Sequence, residues 1–163
     1  MKEHIKSIIF LLLLFCLSYF ISTSYFQIML VQGNSMLPNY HNWQFTIIDK
    51  RQTQTYTSGD VIAFYCPNLD AILVKRIAAV AGDTVHIQHG TLLVNDIPPT
   101  FLPSNTTIAY AGIAEEKTTV PSKQYFVLGD NVSESKDSRY EMISFIEESN
   151  ILGKVIPQTS SVK

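Results

Sequence analysis

The chain has 163 residues, of which 46% are hydrophobic and 16% are charged, and its formal net charge at pH 7 is −2. This length allows one domain of ordinary size together with an anchor, and the apolar content favours a packed core over global disorder. The small negative charge excludes the basic surface typical of nucleic-acid-binding proteins, so no nucleic-acid partner is expected.

Motifs for metal, nucleotide or dinucleotide binding are absent from the sequence. The chain has no Cys-x-x-Cys pair, no P-loop and no glycine fingerprint for a dinucleotide. The spacing of its four histidines is not typical of a metal site; they are His4, His41, His86 and His89. We therefore expect no metal and no cofactor.

The N-terminal segment is long, apolar and uncharged. Residues 8–17 are all apolar, and no Asp, Glu, Lys or Arg occurs between Lys6 and Asp49. A helix of about 20 apolar residues crosses a bilayer, and lysines before such a helix favour a cytoplasmic N-terminus. We predict a cytoplasmic segment at residues 1–6, a transmembrane anchor at 7–30 and an extracytoplasmic domain at 31–157, followed by a tail at 158–163.

A cleavable secretory signal is the alternative interpretation of the same segment. Its apolar core would be residues 8–17, and Ser22 and Ser24 are similar to the small residues of a cleavage site. Under both interpretations, the domain that follows is exported.

The remainder of the chain has the pattern of short strands separated by turns. β-prone or alternating runs occur at residues 45–48, 61–65, 72–80, 84–88, 91–94, 125–128 and 151–156. His89-Gly90 predicts a hairpin turn between two of these runs. The pattern indicates a mostly β fold with an antiparallel sheet and an irregular excursion at about residues 96–120. Residues 139–148 are a candidate short helix.

Ser35 and Lys75 are candidates for a catalytic pair. Ser35 precedes a turn that Pro38 constrains, and Lys75 lies in the apolar run at 72–80. A serine hydroxyl needs a base to take its proton, and lysine can serve only when desolvation lowers its pKa from ~10.4. Strand alternation places Lys75 on an apolar face and Arg76 on the opposite face, and a guanidinium is a poor base. Alone, each residue has a plainer interpretation: a turn serine and a strand-edge lysine.

A third polar segment, residues 128–139, follows the run at 125–128. Asp137 and Arg139 could form an ion pair there, and the Ser135 hydroxyl could hydrogen-bond a nearby amine. A solvated loop is the alternative interpretation.

Taken in order, these segments resemble the bacterial type I signal peptidases, in the Gram-positive form with a single anchor. The similarity covers four boxes, at residues 33–38 (GNSMLP), 59–62 (GDVI), 74–83 (VKRIAAVAGD) and 129–139 (GDNVSESKDSR). The resemblance implies the antiparallel β-sheet fold of that family. It also implies a membrane-bound serine endopeptidase that removes signal peptides from exported preproteins, after small residues at an Ala-x-Ala site.

The resemblance further implies roles for individual residues. Ser35 would be the nucleophile, with its backbone N–H donating to the oxyanion, and Lys75 would be the general base. Ser135 would hydrogen-bond the Lys75 amine. Gly33 stands where some family members carry a serine whose side chain is a second oxyanion donor, so that donor is missing here.

Supporting and substrate-binding residues are implied in the same way. Two ion pairs would support the site, Asp137 with Arg139 and Asp130 with Arg76. The walls of a pocket for small substrate residues would be Met29, Val31, Met36, Leu73 and Val74. The chain also departs from the family, since Asn39 follows Pro38 where a threonine is common.

Three other functions are compatible with parts of this pattern. A specialised peptidase for pilin or another surface protein would use the same pair of residues. A self-cleaving repressor shares such a pair, but it would need a DNA-binding domain and a soluble N-terminus. A non-catalytic, membrane-anchored assembly factor is the alternative outside the enzymes, although both Ser35 and Lys75 are retained.

Overall fold

The structure, a computed structural model, describes residues 2–51 and 55–157, so the predicted tail at 158–163 lies outside the described residues. Helix α1 spans Lys2–Tyr25. The strands are β1 (Phe26–Leu30), β2 (Phe45–Asp49), β3 (Val61–Cys66), β4 (Ala71–Val80), β5 (Thr84–Gln88), β6 (Thr91–Val94), β7 (Thr118–Thr119), β8 (Gln124–Leu128), β9 (Ile146–Glu147) and β10 (Ile151–Val155).

Over the described residues, the strands form two antiparallel sheets. The larger sheet has seven strands in the order β1-β2-β10-β3-β4-β8-β9, and the smaller has three in the order β6-β5-β7. The prediction of a mostly β fold is therefore confirmed. Each predicted strand is present with bounds that differ by at most one residue. The predicted hairpin turn also joins β5 to β6, with φ of 51° at His89 and 78° at Gly90.

Two predictions are wrong, the end of the anchor and the short helix. The anchor was predicted to run to residue 30, but the helix ends at Tyr25 and β1 pairs along its length with β2. No charged residue lies between Lys6 and Asp49, so charge could not mark the end of the helix. The predicted helix at 139–148 is absent: this segment forms turns and then β9. Ser144 adopts a left-handed conformation with φ of 52°, which a continuous helix does not allow.

Helix α1 contacts the rest of the molecule mainly through β1. Its apolar side chains are exposed along most of its length, with Phe15 71% and Phe20 69% exposed. Over the residues described, the structure contains no helix with the length and apolarity needed to cross a membrane.

In the part of the chain that the structure describes, the core consists of three groups of buried side chains, and one of them includes residues of the turn after β1. That group packs under β1, β2 and β4 and includes Val31, Met36, Tyr40, Ile48 and Val74. A second group fills the space between the two sheets, around Phe126 and Leu128. The turn that follows β1 is therefore fastened to the sheet by the buried side chains of Met36 and Tyr40.

Candidate active site

Two strand edges without partners face one cavity. Strand β4 pairs with β3 along its first half, but its pairing with β8 begins only at Arg76. Strand β1 lies at the end of the sheet and, over the described residues, pairs only with β2. A cavity of about 300 Å³ is lined by residues 29–32 and 72–75 together with Ser35 and Met36. The free edges of β1 and β4 therefore flank a groove that contains both members of the predicted catalytic pair.

The five predicted wall residues all line this cavity, namely Met29, Val31, Met36, Leu73 and Val74. Three further lining residues, Leu30, Gln32 and Ile72, were missed. Each neighbours a predicted wall residue in the chain. At a strand edge, the backbone and the side chains next to it border the groove. The position of these three residues beside predicted wall residues in the chain was therefore the signal that could have identified them.

Ser35 and Lys75 meet at the end of this groove. Lys75 Nζ lies 2.6 Å from Ser35 Oγ. Lys75 is only 4% exposed, and this burial lowers the pKa of its amine to about 8, against the smaller raising effects of Asp137 and Asp130. A neutral amine is therefore accessible at mildly alkaline pH, so Lys75 can accept the proton of the hydroxyl that it contacts.

The turn that carries Ser35 is held by backbone hydrogen bonds. Leu37 N–H donates to Asn34 O at 3.2 Å, and Tyr40 N–H donates to Met36 O at 2.9 Å. The Ser35 N–H donates to no group of the residues that the structure describes, so it is available to a ligand in the groove.

Gly33 has φ of +87°, a conformation that side chains rarely adopt. Its N–H donates to Asn42 Oδ1 at 2.9 Å. Among the residues that the structure describes, no heavy atom outside its chain neighbours lies within 4 Å of where a Cβ would stand. A serine side chain at this position would therefore have space, but the residue would have to adopt a strained backbone conformation.

The segment after β8 is hydrogen-bonded to the turn that carries Ser35. Asn131 N–H donates to Ser35 O at 3.0 Å, and Asn131 Nδ2 donates to Asn34 O at 3.3 Å. A Cβ on Gly129 would lie 2.5 Å from Ser35 O and closer still to the Ser135 side chain. Glycine at 129 therefore allows the segment to approach both serines.

The predicted hydrogen bond between Ser135 and the Lys75 amine is not formed. Ser135 is 3% exposed, and its Oγ has no hydrogen-bond partner among the described residues. The Lys75 amine contacts Ser35 Oγ instead. The sequence predicted that Ser135 belongs to the site, and its side chain lies there against Gly129.

The predicted ion pair of Asp137 and Arg139 is present and fully enclosed. Arg139 Nε donates to Asp137 Oδ1 at 2.7 Å, and the two side chains are 2% and 0% exposed. Arg139 Nη2 also donates to the carbonyls of Val132 and Ser135, while Asp137 Oδ2 accepts from Gly129 N–H at 3.0 Å. The pair therefore fixes both ends of the loop at 129–135.

The predicted ion pair of Asp130 and Arg76 is also present. Arg76 binds the carboxylate with two hydrogen bonds, from Nε to Oδ1 at 2.7 Å and from Nη2 to Oδ2 at 2.6 Å. Its Nη1 donates to Gly59 O at 2.7 Å. Burial lowers the pKa of Arg76, but its hydrogen bonds and attraction to Asp130 leave that pKa raised. Arg76 therefore stays charged on the face of β4 opposite Lys75.

Comparisons with known proteins agree with this arrangement. The family described as signal peptidase, peptidase S26, matches residues 1–158. Signal peptidase I U of Bacillus subtilis (strain 168) is 28% identical over 93% of this chain and 86% of its own length. Signal peptidase I of Bacillus licheniformis is 30% identical over 93% of this chain and 84% of its own length. A crystal structure of a signal peptidase I from Enterococcus faecalis V583 matches with a TM-score of 0.52 and 27% identity, over 63% of this chain and 98% of that one. The chain belongs to the signal peptidase family, peptidase S26.

Proposed function

We propose that this chain is a serine endopeptidase that removes signal peptides from exported preproteins, with Ser35 as nucleophile and Lys75 as general base. One observation carries the proposal: Ser35 Oγ and Lys75 Nζ are 2.6 Å apart at the end of a groove between free strand edges. The relatives named above, which bear the name signal peptidase I, favour this function over a specialised pilin peptidase or a non-catalytic assembly factor.

The chemistry follows from these two side chains. Neutral Lys75 takes the proton of Ser35 Oγ while Oγ attacks the scissile carbonyl carbon, and the Ser35 N–H donates to the oxyanion that forms. The intermediate then collapses, the peptide C–N bond breaks, and the Lys75 ammonium returns the proton to the departing amine. Lys75 next takes a proton from the water that attacks the ester carbonyl. The ester C–O bond breaks, and the proton returns to Ser35 Oγ.

Substrate selection follows from the groove. A cleavage segment in extended conformation can add as a strand to the free edges of β1 and β4, and its backbone then supplies most of the hydrogen bonds. Side chains two residues apart point to the same side of a strand. The first and third residues before the cut would therefore both enter the cavity of about 300 Å³, whose walls include Met29, Met36 and Leu73. Such a cavity favours small residues, as in an Ala-x-Ala site.

We further propose that the N-terminal segment anchors this domain to a bilayer in a single pass, with residues 1–6 cytoplasmic and the catalytic domain outside. Its support is the absence of charge between Lys6 and Asp49 and the exposure of apolar side chains along α1. Protease protection in sealed, right-side-out vesicles tests this topology. A catalytic domain that stays protected from external protease would contradict it.

Cleavage of an Ala-x-Ala precursor by the full chain in detergent tests the proposed function. The wild type should release a product that begins directly after the second alanine, as identified by N-terminal sequencing. Ser35→Ala and Lys75→Met should each lower kcat/KM by about a thousandfold or more, because each removes one half of the reacting pair. Ser104→Ala, at an exposed loop serine far along the chain, is the matched control and should cleave like the wild type.

Two results would reject the proposal. A wild type that leaves several such precursors intact would remove the assigned substrate class. Variants at Ser35 and Lys75 that stay folded and cleave at the wild-type rate would remove the assigned pair.

A further inference from the structure

Asn39 connects the nucleophile turn to a buried carboxylate. It lies four residues after Ser35, and its Nδ2 donates to Asp130 Oδ2 at 2.8 Å. The Asn39 side chain is exposed, whereas the side chain of Asp130 is 6% exposed. A hydrogen bond to an ionised carboxylate is stronger than one between neutral groups, so this contact restrains the end of the turn.

The same carboxylate is bound to the strand that carries the lysine. Both of its oxygens accept from Arg76, at 2.7 and 2.6 Å, and Arg76 is the residue after Lys75 in β4. Arg76 is itself restrained by its bond to Gly59 O. Asp130 therefore joins two elements, the turn after Ser35 and the strand at Lys75, through the side chains of Asn39 and Arg76.

We propose that Asn39 is a positioning residue which, through Asp130 and Arg76, holds Ser35 Oγ at hydrogen-bond distance from Lys75 Nζ. This inference rests on the proposed function. The other restraints between this turn and the segment after β8 use the backbone oxygens of Asn34 and Ser35, so they hold the start of the turn. Asn39 is the side-chain restraint at its far end. A displacement of about 1 Å in a reacting group can cost about a hundredfold in rate, so loss of this restraint affects turnover.

Kinetics of three variants test the proposal. Asn39→Ala should lower kcat about tenfold to a hundredfold and leave KM within about twofold, because the groove residues are unchanged. Asn39→Asp should lower kcat further, since two carboxylates would then face each other. Asn68→Ala is the matched control, since Asn68 is an exposed asparagine whose Nδ2 donates to Met142 O at 3.0 Å.

A crystal structure of Asn39→Asp supplies a readout that does not need activity. The Ser35 Oγ to Lys75 Nζ separation should exceed 3.5 Å in that variant. An unchanged separation, or a kcat within twofold of wild type in Asn39→Ala, would overturn the proposal. Cleavage by the wild type alone tests the proposed function. A failure of that function can therefore be distinguished from a failure of the role proposed for Asn39.

Discussion

Lys75 Nζ lies 2.6 Å from Ser35 Oγ, although the two residues are 40 positions apart in the chain. The amine reaches the groove from a strand whose neighbouring side chains, Val74 and Ile77, are buried. Burial lowers the pKa of this amine to about 8. The environment that makes Lys75 a usable base also makes its charged form unfavourable in the folded protein, and both consequences can be measured.

The pH dependence of cleavage should report this amine. Lys75 must be neutral to accept the Ser35 proton, so kcat/KM should rise about tenfold per pH unit below the lysine pKa and level off above it. The midpoint should lie near pH 8. A substrate without ionisable side chains near the cleavage site isolates the enzyme's own groups. A midpoint near pH 10 would mean that Lys75 is not desolvated, and a midpoint near pH 6 would indicate a different base.

The same pKa predicts how Lys75 affects stability. Between about pH 8 and pH 10.5 the unfolded chain holds a proton on Lys75 that the folded chain has lost, so the lysine's contribution to stability rises across this window. Below pH 8 the full penalty for burying the charge is present. Lys75→Met, which keeps the volume, should therefore be more stable than wild type at pH 7 by about 3 kcal/mol, and this advantage should vanish by about pH 10.5. Urea unfolding of both proteins at several pH values measures the difference, and a constant difference would contradict the prediction.

Several parts of this site follow from sequence because they are local. Asp137 and Arg139 lie two residues apart, and their ion pair needs little more than a turn. Lys75 faces the groove because a strand alternates its side chains. The resemblance to a known family supplied the juxtaposition of these segments, which no local pattern contains.

Other parts depend on tertiary contacts. Asn39 and Asp130 are 91 positions apart, and nothing in either segment predicts their hydrogen bond. Strand β1 was assigned to the anchor because a strand with an exposed apolar face and an apolar helix look alike when both are uncharged. The predicted hydrogen bond from Ser135 to Lys75 is not formed, since the Lys75 amine contacts Ser35 Oγ and Ser135 Oγ has no partner among the described residues.

The protein should be more stable with the intact Asp137–Arg139 pair than with either of these charged residues buried alone. Asp137→Asn leaves the buried Arg139 without a compensating charge, and Arg139→Met does the same to Asp137. Each single change should lower the free energy of unfolding by about 3–5 kcal/mol, and the double change should cost less than the sum. Urea unfolding of the four proteins gives the coupling free energy. As a control, Lys117→Met breaks the exposed pair with Asp96 and should cost at most about 1 kcal/mol. Additive effects at 137 and 139 would mean that the buried charges do not depend on each other.

Gly129 should tolerate no side chain, for a steric reason only. Its φ is not in the left-handed region, so alanine adds no backbone strain. The added methyl group would nevertheless lie 2.5 Å from Ser35 O and closer to the Ser135 side chain, so the nucleophile turn must move. Gly129→Ala should lower kcat by about a hundredfold or more, a cost typical of misplacing a reacting group. Gly82→Ala is the control with the opposite properties: its φ is +90°, but no heavy atom of the described residues, apart from its chain neighbours, lies within 4 Å of the added methyl. The Gly82→Ala variant should lose about 1 kcal/mol of stability and keep its kcat. Equal kcat for Gly129→Ala and wild type would show that the contact between the two loops does not hold the reacting pair together.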